Sequence, residues 1–184
     1  MIFLKTDDEI ELLRQSNLLV GKTLAEVAKL IKPGVTTLEL DKVAEEFIRD
    51  NGAIPTFKGY PNPNGLPFPA TLCTSVNDEV VHGIPNNRPL QEGDIVSVDC
   101  GTYMNGFCGD SAYTFCVGEV DPEIIKLLKT TKEALYLGIE NAVHGKRLGD
   151  IGYAIQNYCE SNSYGVVKEF VGHGIGKEMH EEPQ

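Results

Sequence analysis

Asp94-Ile-Val-Ser-Val-Asp-Cys-Gly-Thr-Tyr-Met-Asn-Gly-Phe-Cys-Gly-Asp110 is the stretch whose reading decides the fold. Asn105-Gly106 is the dipeptide preferred at the centre of a two-residue type I′ hairpin turn, and the residues on either side are rich in strand formers. With that turn, Asp99 stands opposite Ala112, and Asp110 becomes its diagonal neighbour on the same face of the ribbon. Diagonal neighbours lie about 7–8 Å apart at Cα. That is close enough for the carboxylate oxygens to meet around a cation, and too close for two bare charges to be buried together. A divalent metal is the natural companion. Two solvated aspartates on an exposed hairpin face are the plainer alternative, so the neighbouring sequence has to decide.

Outward from the ribbon, Thr71 to Val81 reads as a further strand, joined to it through His82-Gly-Ile-Pro85 and the turn-rich Asn86 to Gly93. Near the N-terminus, Thr6-Asp-Asp-Glu9 is a capping box, and it opens a helix whose apolar positions recur until Lys32-Pro33-Gly34. A second box, Thr36-Thr-Leu-Glu39, opens a helix closed by Asn51-Gly52. Pro55 to Pro69 is dense in Pro, Gly and Asn and predicts a long loop, of a length that is often functional. Downstream, Asp121-Pro122 caps a helix to about Ala142, and another covers roughly Asp150 to Glu160. A last strand-like segment, Val166 to Val171, leads into Gly172-His-Gly-Ile-Gly176. This order implies one α+β domain over residues 1–184, with an antiparallel sheet and helices packed on one face.

The formal net charge of −11 argues against a surface built for nucleic acid, so no DNA partner is expected. The apolar run at the N-terminus is too short for a signal peptide, and nothing approaches a membrane span. A cytoplasmic protein without a membrane partner is the expectation. Five cysteines, Cys73, Cys100, Cys108, Cys116 and Cys159, form no Cys-x-x-Cys pair, which predicts reduced and mostly buried thiols.

His173, hemmed by glycines in Phe170-Val-Gly-His-Gly-Ile-Gly176, suits a metal ligand, though taken alone a loop histidine with a structural hydrogen bond is the plainer reading. His82 and His180 each stand near a proline and acidic residues, and each taken alone could be simply solvent-exposed. Gly172-x-Gly174-x-Gly176 lacks the dinucleotide fingerprint, and no His-Glu-x-x-His helix, Gly-x-Ser-x-Gly elbow or catalytic-cysteine signature is present.

The combination Phe57-Lys-Gly-Tyr60, Phe68-Pro-Ala, Cys73-Thr-Ser-Val-Asn-Asp-Glu-Val-Val-His-Gly-Ile-Pro85, Val98-Asp99, Gly109-Asp110-Ser-Ala-Tyr-Thr-Phe115 and Gly172-His-Gly-Ile-Gly-Lys-Glu-Met-His-Glu-Glu-Pro183 closely resembles type I methionine aminopeptidases, in order along the whole chain. The resemblance implies the pita-bread (creatinase/aminopeptidase) fold, with the C-terminal part of its second half missing. It also implies removal of the initiator methionine from nascent polypeptides by metal-activated water. Two divalent metal ions (Co, Mn, Fe or Zn) would be the cofactors, and the ribosome is a candidate partner. By the same resemblance Asp99, Asp110 and His173 would ligate metal, with Asp110 bridging. His82 and His180 would hydrogen-bond the substrate and stabilise the tetrahedral intermediate, while Tyr60, Phe68 and Cys73 would line the methionine pocket.

Departures from the family carry their own expectations. The sequence stops at Gln184, before the two further glutamate ligands of the family, and Glu181 and Glu182 do not match them. Weak metal binding and poor hydrolysis are therefore expected of these 184 residues. Pro61-Asn-Pro-Asn-Gly65 lengthens the loop after Tyr60 and bears on the placement of that side chain. Two rival functions remain: a non-catalytic pita-bread module that binds peptides or proteins, and a proline-specific aminopeptidase of the same fold.

Overall fold

The computed structural model describes residues 2–62 and 65–184. Pro63 and Asn64, the middle of the lengthened loop, lie outside the described residues. The chain divides into two compact units, residues 1–119 with 172–184, and residues 120–171.

In the first unit, α1 (Asp7–Ala28) and α2 (Thr37–Asp50) each begin at a capping box, with Thr6 paired to Glu9 and Thr36 to Glu39. Both starts follow the sequence pattern. Helix α1 stops at Ala28, short of the predicted Lys32, yet Leu30 and Ile31 still pack on the core from the turns beyond it. The sheet is antiparallel throughout: β1 (Ile54–Pro55) and β2 (Leu72–Val76) pair with successive stretches of one edge of β3 (Ile95–Met104), and β4 (Phe107–Cys116) pairs along the other.

The β3–β4 ribbon turns at Asn105 and Gly106, whose φ values of 54° and 86° are the left-handed pair that a type I′ turn requires. Asp99 pairs with Ala112 and Gly101 with Asp110, the predicted register. Val96, Val98 and Cys100 are fully buried against Leu19, Val20, Leu24 and Val27 of α1 and Leu40 and Ile48 of α2. Strand alternation then turns Ser97, Asp99 and Gly101 to the other face, where Ser97 meets Thr114 at 2.7 Å. One face of the ribbon is the core and the other carries the polar residues.

Two strand predictions need correction. Strand β2 ends at Val76, not Val81, because Asn77 adopts φ 56° and its side-chain oxygen accepts the Ile95 N–H at 3.0 Å, while Glu79 accepts that of Val76 at 2.9 Å. The chain then folds back, so that Thr74 N–H donates to the Gly83 carbonyl at 2.8 Å and His82 is held beside β2. Val166 to Val171 forms no strand, since no strand among the described residues lies alongside to take its backbone groups. The second unit holds α3 (Pro122–Asn141), capped by Asp121, and α4 (Leu148–Ser161), which starts two residues earlier than the sequence pattern suggests. They pack through Gly138, where a Cβ would stand 2.9 Å from Ile155 Cδ1. Among the described residues, no helix is long and apolar enough to cross a membrane.

Asp41 of α2 is a structural acid that the sequence pattern did not single out. Only 6% exposed, it accepts the N–H groups of Thr71 and Leu72 at 2.9 and 2.8 Å and so anchors the start of β2. Burial pushes its carboxyl above the usual range despite those bonds. Asp41→Ala strands two buried donors and should cost about 2–4 kcal/mol in urea unfolding, whereas Asp41→Asn keeps an acceptor and should cost about 1 kcal/mol or less. Equal losses in the two variants would mean that the bonds contribute little.

Candidate metal centre and peptide cleft

On the face of the ribbon turned away from the helices lies a cleft of about 600 Å³. Asp99 on β3 and Asp110 on β4 form its floor, with Cys73 beside Asp99 as its register partner on β2. Asp110 is held by α1, because its N–H donates to the Asn17 side-chain oxygen at 3.2 Å. Opposite Asp110 in the ladder, Gly101 has to be bare: a Cβ there would lie 2.1 Å from Thr56 Oγ1 and 2.7 Å from a Phe57 ring carbon. That vacancy lets Phe57 lie down as one wall.

Segment 172–184 supplies the other wall. It doubles back on itself through Glu181 N–H to the Gly174 carbonyl at 2.8 Å and Gly174 N–H to the Pro183 carbonyl at 2.7 Å. Cys108 N–H, donating to the Gly176 carbonyl at 2.7 Å, ties it to β4. The doubling back sets the rings of His173 and His180 side by side, with centroids 4.2 Å apart. Glu181 points away from this pair: its carboxylate accepts the Glu178 N–H at 3.2 Å and is ion-paired with Lys5.

Tyr60, Phe68, His82 and Met179 complete the cleft, so every side chain singled out in the sequence reaches it. Met179 and Phe57 were given no role from sequence. No local sequence signal marks Met179, because the doubling back of its segment is what brings it to the cleft. The lengthened loop does not displace Tyr60. Gly59 N–H bonds the Phe68 carbonyl at 2.8 Å and Phe68 N–H bonds the Tyr60 carbonyl at 3.0 Å, closing a stem beneath it.

The donor set is electrostatically unsatisfied on its own. Burial, and then the charge of Asp110, push the Asp99 carboxyl up to about 7. Burial also raises the Asp110 carboxyl, against the opposing effects of Asp99 beside it and of the two nearby histidines. His173 Nδ1 lies 2.9 Å from the Gly174 carbonyl, an acceptor only, so Nδ1 bears the hydrogen and Nε2 keeps its lone pair. Nε2 stands 3.8 Å from Asp110 Oδ2. Among the described residues, no three of these side chains form a closed coordination cluster. Two carboxylates and an imidazole nevertheless fit a divalent cation in donor type, and a positive charge would offset the repulsion between Asp99 and Asp110.

The amino-acid sequence matches metallopeptidase family M24 across residues 11–184. A methionine aminopeptidase of Clostridium acetobutylicum is 56% identical over 185 residues, covering all of this chain and 72% of that relative. Methionine aminopeptidase 1 of Bacillus subtilis is 49% identical over 184 residues, with the same coverage of 100% and 72%. The crystal structure of methionine aminopeptidase from Rickettsia prowazekii superposes with a TM-score of 0.95 at 39% identity, over all of this chain and 72% of that one.

The unrelieved carboxylates predict a stability that depends on pH and on metal. An acid whose folded pKa exceeds its unfolded value of 3.8 costs nothing below that pH, and the cost grows until it is complete above about 7. Metal-free Asp99→Asn should therefore melt roughly 2–8 °C above the parent at pH 8 and within about 1 °C of it at pH 4. Added Mn²⁺ or Co²⁺ should reverse the order at pH 8 by stabilising only the parent. A variant that melts lower at pH 8 without metal would show that the two carboxylates do not repel.

Proposed function

Since the chain belongs to metallopeptidase family M24 and shares its pita-bread fold, we propose that it is a metal-dependent aminopeptidase removing the initiator methionine of nascent polypeptides in the cytoplasm. The observation that carries this reading is the meeting of Asp99, Asp110 and His173 with His82 and His180 in one cleft that also has an apolar side. Asp99, Asp110 and His173 would hold two divalent ions drawn from Co, Mn, Fe or Zn. Bound there, such ions polarise a carbonyl and lower the pKa of a water.

The remaining work falls to side chains of the chain itself. Phe57, Phe68, Cys73 and Met179 would receive the methionine side chain, excluding bulk water from the peptide bond beside it. Cys73 serves as an inert wall, because burial pushes its thiol up to about 12 and leaves no thiolate at neutral pH. His82 and His180 would donate to the carbonyl oxygen of the scissile bond as negative charge grows on it. Burial, with the neighbouring His173, lowers the pKa of His180, which keeps its ring neutral near pH 7 and suits it to hydrogen bonding rather than proton storage. The ribosome, source of nascent chains, is the expected meeting place.

With Mn²⁺ or Co²⁺ present, the protein should release free methionine from a Met-Gly or Met-Ala peptide, slowly as its weak metal binding implies, and leave Xaa-Pro peptides intact. Asp110→Ala should reduce release by more than about 100-fold and weaken metal binding in calorimetric titration. Cleavage of Xaa-Pro peptides alone would assign the chain to the proline-specific branch. Peptide binding without cleavage, unaffected by Asp110→Ala, would make it a binding module.

A further inference from the structure

Two histidines side by side in one cleft are useful for different tasks only if their ring hydrogens are on different nitrogens. His173 has its hydrogen assigned by the backbone, at Nδ1 toward the Gly174 carbonyl. For His180 the partner is a side chain: the Tyr60 hydroxyl oxygen lies 2.8 Å from Nδ1. Either group could donate in principle. A phenolic hydroxyl is the stronger donor, however, since its oxygen lone pairs delocalise into the ring and make it a poor acceptor. The in-plane lone pair of an imidazole nitrogen is by contrast a strong acceptor. Donation therefore runs from Tyr60 Oη–H to His180 Nδ1, and the ring hydrogen of His180 resides on Nε2.

We infer that Tyr60 is a positioning residue that locks His180 in its Nε2–H tautomer, so that the adjacent His173 and His180 present a lone pair and a hydrogen-bond donor respectively. The lock is rigid because its support is rigid. Tyr60 N–H donates to the Phe57 carbonyl at 2.9 Å, and the stem bonds between Gly59, Tyr60 and Phe68 hold the backbone on which the phenol stands. The two rings meet edge to face, with centroids 5.5 Å apart at 61°, a contact that fixes the imidazole plane as well as its hydrogen. Tyr60 thus contributes more than apolar surface to the cleft. If the hydroxyl were removed, His180 could rotate or place its hydrogen on Nδ1, and its donor would no longer be preorganised for a developing oxyanion.

The catalytic consequence rests on the peptidase reading, whereas the tautomer itself does not. Tyr60→Phe removes only the hydroxyl and keeps the ring contact. The decisive measurement is ¹⁵N NMR of the histidine rings in the metal-free chain at pH 8, which has only four histidines to distinguish. His180→Gln identifies the relevant signals. The parent should show a protonated Nε2 and an unprotonated, hydrogen-bonded Nδ1 for His180, and Tyr60→Phe should shift both toward a mixture of tautomers while His173 stays as it is. Nδ1–H in the parent, or unchanged His180 shifts in a folded Tyr60→Phe protein, would overturn the inference. In peptide hydrolysis, Tyr60→Phe should lower kcat by about 10-fold or more and change KM by less than about 3-fold, as expected for a group that acts in the transition state. An unaltered kcat alongside altered tautomers would remove the catalytic consequence. A parent chain that releases no methionine, with the tautomers as expected, would overturn the peptidase reading and leave the lock standing.

Discussion

The register of the β3–β4 ribbon is the constraint on which the molecule depends. Side chains alternate across a strand, so a slip of one residue would send Asp99 into the helices and expose Cys100 and Val98. Two independent features forbid that slip. The Asn105-Gly106 turn accepts only a two-residue connection with positive φ at both positions, and the fully buried series Val96, Val98 and Cys100 matches the apolar faces of α1 and α2. Local turn chemistry and long-range packing agree, which is the condition for a uniquely specified structure. The separation of core face from cleft face follows directly.

That separation makes a strained site tolerable. Asp99 and Asp110 would be costly neighbours in any interior, and here they lie on a surface that the core does not need. The cost is absorbed by bracing from behind, through Asn17 on Asp110 and the Asp41 bonds that begin β2 next to Cys73. Rigid elements at the floor of the cleft and doubled-back segments at its walls keep the acceptors of Asp99, Asp110 and His173 from turning outward to water. A site that could relax would do so, and its carboxylates would then no longer be held together.

Much of this was legible in the sequence wherever one local interaction decides the outcome. The Thr6/Glu9 and Thr36/Glu39 boxes announce two helices because each pair satisfies its own orphan N–H groups. The Asn-Gly turn announces the hairpin for the same reason. The linked motifs that resemble methionine aminopeptidases carried the site residues, and each of those side chains does reach the cleft. Where a partner distant in sequence decides, the pattern was silent or wrong. Strand β2 stops at Val76 through a bond from Ile95 to Asn77, 18 residues apart. Val166 to Val171 has the composition of a strand, but strand propensity is realised only beside another strand. Asp41 resembles any helix-surface acid until Thr71 and Leu72 are laid against it, and the Tyr60–His180 bond spans 120 residues.

The histidine pair shows why such long-range bonds matter more than residue identity. His173 and His180 are chemically the same, stand with ring centroids 4.2 Å apart and face the same cleft. What distinguishes them is the group at Nδ1, a carbonyl for one and a phenol for the other. A carbonyl can only accept, so it pushes the hydrogen of its histidine onto Nδ1 and leaves Nε2 basic; a phenol donates, and reverses the arrangement. The role open to each ring is therefore set one layer behind the ring itself. The stem bonds among Gly59, Tyr60 and Phe68 bear on that assignment as much as on the fold, because they hold the phenol against His180.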